Sequence, residues 1–165
     1  MELMIISGPI LMLLFNVVDV GTYTYQRMQV EEAAQIGVQK VYASCTSSSL
    51  PAVQNCNVGT LSSTITTAVQ STSLGSNVSV VSGYPIEGYY CLDASNTLTL
   101  VGQSATIGGT PTKPASCVAA GLPAGRMGDY IQIRVTYGYT SVFSWVSVAG
   151  LLSGPITKTA WMPLA

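Results

Sequence analysis

The side chains able to do chemistry in this chain are few and widely spread. Histidine is absent, and six Lys or Arg stand against seven Asp or Glu, so that only 8% of the residues are charged. Without histidine the commonest general base and the commonest metal ligand are both missing. Serine is abundant, but no G-x-S-x-G elbow occurs, and a serine triad has no histidine to complete it. Beyond the N-terminal region the one close pair of carboxylates is Glu87 and Asp93, around Cys91. A glycosidase needs two carboxyls about 5 to 10 Å apart flanking a cleft, and this spacing across a strand does not supply one. Asp93, Ser95 and Asn96 lack the acidic count and the terminal Glu of a calcium loop, so they read as a turn. Gly108-Gly109 precedes no Lys-bearing helix and is no phosphate cradle. Asn77-Val78-Ser79 fits a glycosylation sequon and also a strand start. The chain does not read as an enzyme, and no cofactor or metal is expected.

The four cysteines are the strongest chemical signal. Cys45, Cys56, Cys91 and Cys117 contain no C-x-x-C, and no histidine is present to complete a zinc site. An even count behind an export-type apolar segment reads as two disulfides formed in an oxidising compartment. Three pairings are possible. Cys45–Cys56 and Cys91–Cys117 are expected, because short local loops rich in Ser, Pro and Gly close most easily, and loops of about 10 and 25 residues contribute very roughly 3 kcal/mol each.

The element that must position everything else is the N-terminal stretch. From Leu3 to Val18 only Ser7, Gly8, Pro9 and Asn16 interrupt Leu, Ile, Met, Val and Phe. Those roughly 16 residues give about 24 Å of apolar rod, a marginal membrane span. The period then changes: Val30, Ala33, Ala34, Gly37, Val38 and Val41 fall on one face of a 3.6-residue helix, with Arg27, Glu31, Glu32, Gln35, Gln39 and Lys40 on the rest. One helix over 1–44 is expected, its part 3–20 transmembrane or in a filament core, and the Gly8-Pro9 pair is expected to kink it. Glu2 opens the apolar run and Asp19 closes it. A carboxylate at bilayer depth costs a few kcal/mol unless paired. Asp19 reads first as an interfacial residue reaching the headgroups; inside a filament core, Asn16 and Asp19 would instead need partners on adjacent helices.

These residues resemble a known family. A short apolar helix opening on a glutamate, an internal Gly-Pro, the DVG at Asp19 and an aromatic, Gln/Ala-rich continuation are similar to the TadE-like proteins of tight-adherence pili, relatives of type IV pilins and pseudopilins. At the other end GDYIQIRVTYGYTSVFSW and SGPITKTAWM resemble that family's closing hairpin and terminal strand. In the family a prepilin peptidase removes a basic leader ending in Gly a few residues before the glutamate. These residues contain no such leader, which makes Met1 a late position of the processed chain or leaves the leader unrecorded. The resemblance implies a structural subunit, usually a minor pilin, that waits in the inner membrane and then enters an extracellular filament. Its partners would be copies of itself or other pilins together with the pilus assembly machinery, and its globular domain would be periplasmic or extracellular. Glu2, Asn16 and Asp19 are its candidate assembly residues, Glu2 pairing with the amino terminus of a neighbouring subunit. The competing expectation is a periplasmic binding or adhesion domain on a permanent single-span anchor.

The remainder, 45–165, reads as an α+β domain. A hydrophobic content of 48% in 165 residues is enough for a core, and the low charge suits a subunit packed among copies of itself. No basic cluster suggests nucleic acid. Thr46 to Asn57 reads as a polar loop. A second helix is expected from a Thr60 cap to about Ser71, ended by Gly75, with Leu61, Ile65, Ala68 and Val69 as its stripe. Strands are expected at Asn77–Ser82, Tyr84–Leu92, Thr97–Val101, Asp129–Tyr139 and Ile156–Met162, with a long loop from Gly102 to Gly128 anchored by Cys117. Along Asp129–Tyr139, Ile131, Ile133, Val135, Tyr137 and Tyr139 should face the core and Tyr130, Gln132, Arg134 and Thr136 the other side. Phe143 to Leu152 is apolar, with Trp145 either exposed or under the sheet. Nine tyrosines could form a platform for sugars, although core and cross-strand packing is their commoner use.

Overall fold

A computed structural model describes residues 2–92, 95, 97–143, 147–148 and 154–165, with side chains from residue 7 onward. Helix α1 (Glu2–Ser44) is continuous for 43 residues, about 65 Å, with Pro9 inside it. Its two halves have different surroundings. The periodic stripe Val30, Ala33, Ala34, Val38 and Val41 is fully buried in the main core, whereas the apolar side chains from Ile10 to Val20 are mostly exposed. Among the described residues no helix is long and apolar enough to cross a membrane. Ser7, Gly8, Pro9, Asn16 and Asp19 dilute the described run, and the side chains at 3–6 lie outside the described residues.

Helix α2 (Ala52–Asn55) is a single turn inside the first disulfide loop, where the sequence reading placed only polar loop. Helix α3 (Val58–Val69) starts two residues before the expected Thr60 cap. Asn57 precedes it in the left-handed region at φ 47°, which asparagine tolerates, and the Asn57 carbonyl accepts the Thr60 and Leu61 amides. Leu61, Ile65 and Val69 bury its stripe in the main core. The helix ends at Val69, two residues short of the expected Ser71, and Gly75 begins a separate 3-10 turn.

Five antiparallel strands form one sheet: β1 (Val78–Val80), β2 (Ile86–Leu92), β3 (Leu98–Thr106), β4 (Arg126–Gly138) and β5 (Pro155–Pro163). The long strand β4 is its spine. Along one edge it pairs with β5, and along the other with β2 through Arg126–Gln132 and then with β1 through Val135–Tyr137. The alternation along β4 is as expected, with Ile131, Ile133 and Val135 fully buried against α1 and α3. Gly37 lies where helix and sheet come closest, since a Cβ there would sit 3.1 Å from Val69 Cγ2 and 3.3 Å from Ile133 Cδ1. Strand β3 runs five residues beyond its expected end at Val101, across an irregularity opposite Glu87–Tyr89, so the supposed long loop is shorter. Both β1 and β2 are shorter than expected at their N-termini.

Both disulfides form as expected. Cys45–Cys56 ties the end of α1 to the end of α2, and Cys91–Cys117 ties β2 to the loop before β4. The second bridge sits in a smaller core with Tyr89 and Val101, backed by Leu122 and Met127. The helices and these loops all pack on one face of the sheet. The arrangement is α+β.

Candidate assembly surface

Beyond the main core, α1 projects as an apolar rod. Ile10, Leu11, Met12, Leu13 and Leu14 are consecutive and each about half exposed or more, so apolar surface is presented on every side of the helix and not on one stripe. Val17, Val18 and Val20 continue it, with Val17 69% exposed. Gly8 has open space around it, and the helix passes unbroken through Pro9. The side chain of Glu2 lies outside the described residues.

The two polar residues of the rod are not turned outward. Asp19 is fully buried; its Oδ1 accepts the Val142 amide at 3.0 Å and its Oδ2 the Phe143 amide at 3.2 Å. The Tyr139 hydroxyl donates to the Asp19 carbonyl oxygen at 3.3 Å, and its ring meets Tyr23 edge to face at 5.0 Å. One turn earlier, Asn16 Oδ1 accepts the Val148 amide at 2.8 Å while its Nδ2 donates back to the Met12 carbonyl. Phe143 stacks on Phe15 at 4.5 Å between centroids. Of the residues after β4, Val142, Phe143 and Val148 are therefore strapped to the rod by two polar clamps and one aromatic contact. This corrects the picture of Asp19 reaching towards headgroups: its partners are amides of its own chain. The same clamps satisfy Asn16 and Asp19 without a neighbouring helix. Trp145 lies outside the described residues.

Comparison of the chain with family models, with curated proteins and with solved structures returned no match.

A second polar arrangement was not legible in the sequence. Glu87, fully buried on β2, accepts the Ala52 amide through Oε1 at 2.8 Å and the Val53 amide through Oε2 at 2.6 Å, holding the start of α2. The β2–β4 register sets Glu87 opposite Ile131 and Tyr89 opposite Asp129, so Glu87 and Asp129 share one face as diagonal neighbours. Asp129 is also buried, and neither carboxyl oxygen has a donor. Burial, the Glu87 charge and a hydrogen bond that Glu87 can accept from the protonated form push Asp129 up to about 7, against a smaller opposing pull from Lys113. The Asp93 half of the carboxylate pair considered from sequence lies outside the described residues. The partner that folding brings to Glu87 is Asp129: its parity with the core-facing Ile131 and Ile133 marks it as inward-facing, and only the β2–β4 register sets it beside Glu87. Among the described residues no three Cys, Asp or Glu gather as metal ligands.

This pair has a pH signature. The folded chain holds the Asp129 proton up to about 7, whereas the unfolded chain releases it near the ordinary ~3.9. Between those values the folded state binds more protons, so the stabilisation is complete below about pH 4 and is lost as pH rises through about 7. Asp129→Asn, whose amide can donate to Glu87 at any pH, is expected to remove that decline and to exceed the parent in stability at pH 8. Urea midpoints of both proteins from pH 4 to 8 check it; parallel curves would show that Asp129 does not titrate in this window.

Proposed function

We propose that this chain is a structural subunit of a bacterial surface filament of the tight-adherence or type IV-like kind, assembling through the apolar half of α1. The observation that carries this reading is the bare rod: a helix apolar on all sides is at home only inside protein or lipid, and here the strap covers one face of it. Rods of adjacent copies would cover the remainder at about 25 cal/mol per Å2 of apolar surface. The sheet domains would then form the outer wall. With Asn16 and Asp19 already satisfied within the subunit, the outward sides of the rod from Ile10 to Val20 carry no unmet polar group into such a core. The resemblance of both chain ends to TadE-like pilins supports the same reading, as do the two disulfides, which suit a domain that folds outside the cytoplasm. Before assembly the subunit would wait in the inner membrane, with Glu2 pairing with the amino terminus of the next subunit.

A charge on the rod tests this. Val17→Lys is expected to leave the domain folded and both disulfides formed, because the side chain is largely exposed, and to reduce incorporation into sheared filaments at least about tenfold, since burying an unpaired ammonium costs several kcal/mol. Quantitative mass spectrometry of the sheared fraction measures it. Incorporation at the parent level would overturn the filament reading in favour of a binding domain on a permanent single-span anchor.

A further inference from the structure

The second face of the sheet, turned away from the helices, carries a different surface. Tyr90 of β2, Tyr130 of β4 and Trp161 of β5 meet there edge to face, with centroids 5.7 Å apart for Tyr90–Tyr130 and 5.2 Å for Tyr90–Trp161. Tyr90 stands opposite Gly128 and Tyr130 opposite Gly88, and a Cβ on Gly128 would come within 2.8 Å of the Tyr130 ring. The glycines make room for the rings. Each ring is held by its neighbour, yet Trp161 remains 45% exposed. Directly across from Trp161 in the β4–β5 ladder is Gln132, whose amide makes no hydrogen bond among the described residues. Arg134 follows, its Nε donating to Thr159 Oγ1 at 3.1 Å and its guanidinium lying 5.0 Å over the Tyr84 ring, which leaves its terminal N–H groups for other acceptors. At the other end of the cluster Leu92, Arg126, Gly128 and Tyr130 border a hollow of about 280 Å3.

We infer that this face is a glycan-binding site, in which a hexose ring stacks on Trp161 and its hydroxyls are read by Gln132 and Arg134, with the hollow beside Tyr130 taking a neighbouring residue of the oligosaccharide. The chemistry of the face selects that occupant. A pyranose has one apolar C–H face and a rim of hydroxyls, and it requires a rigid aromatic plane flanked by neutral and cationic donors. A packing helix from a partner protein would require a continuous apolar stripe, whereas here the aromatic cluster is bordered by Gln132, Arg134 and Thr159. A polyanion would require a cluster of cations, and Arg126 and Arg134 stand at opposite ends of the aromatic group. The aromatic contacts preorganise Trp161, so little side-chain freedom is lost on binding.

This inference does not rest on the filament reading, because the probe is the full chain in mild detergent outside any filament. Applied to an array of immobilised neutral and uronate-containing glycans, the chain is expected to bind hexose-containing members. Trp161→Ala and Gln132→Ala are each expected to weaken binding about tenfold or more, and Trp161→Phe to retain part of it. Urea midpoints of the variants serve as the folding control, and Gln132→Ala decides the matter if Trp161→Ala unfolds. Retention of no glycan would overturn the proposal. So would glycan binding that neither Gln132→Ala nor a folded Trp161→Ala affects, or binding confined to uronates and abolished by Arg126→Ala alone.

Discussion

Glu87→Ala is expected to lower the free energy of unfolding by about 2 to 4 kcal/mol, since two buried amides lose a charged acceptor worth roughly 1.5 to 3 kcal/mol each and the relief of Asp129 returns part of the loss. Both acceptor contacts are short and the site is closed to water, so the Ala52 and Val53 amides have no ready substitute. The damage should concentrate where the carboxylate acts. Hydrogen exchange at Ala52 and Val53 should accelerate most, while amides of β4 change only with global stability. Glu87→Gln keeps one carbonyl acceptor and should lose about half as much. Asp129, freed of a like charge, should titrate nearer the ordinary carboxylate range, which proton-coupled unfolding from pH 4 to 8 can read. Parent-like stability in Glu87→Ala would mean that water satisfies the two amides and that the clamp is incidental.

Asp19→Ala should act differently, by releasing the strap and not by unfolding the domain. The Val142 and Phe143 amides lose their shared carboxylate, a loss of about 2 to 3 kcal/mol that corresponds to roughly 30- to 150-fold faster exchange at those two positions. The main core lies further along α1, around Val30 to Val41, and should be little affected. Asn16→Ala removes one neutral acceptor and should accelerate Val148 by only about tenfold. Exchange measured on the full chain in detergent, residue by residue, separates the two clamps. Unchanged protection at Val142 and Phe143 in Asp19→Ala would show that the Phe15–Phe143 stack holds the strap alone.

The strap also bears on assembly. By occupying Asn16 and Asp19 it makes the polar residues of the rod internal to the subunit. It also adds Val142 and Val148, both largely exposed, at the level of the rod.

What the sequence alone determined was local. The 3.6-residue period from Val30 to Val41 specified the buried face of α1. The two short loops specified the pairing Cys45–Cys56 and Cys91–Cys117, because nearby thiols meet most often in an unfolded chain. The alternation after Asp129 specified which side of β4 meets the helices. Each of these is carried by residues close together in the chain. Tertiary structure decided whatever depends on distant segments: that Asp19 finds amides 123 and 124 positions away, that Glu87 and Asp129 share one face, and that Tyr90, Tyr130 and Trp161 meet on three strands. Strand register sets these encounters, and it comes from how whole faces pack, so no spacing within a single segment contains it. A buried carboxylate shows the difference most plainly. In the sequence Asp19 is only a charge at the end of an apolar run, and its acceptor role exists once β4 has delivered Val142 and Phe143 to it.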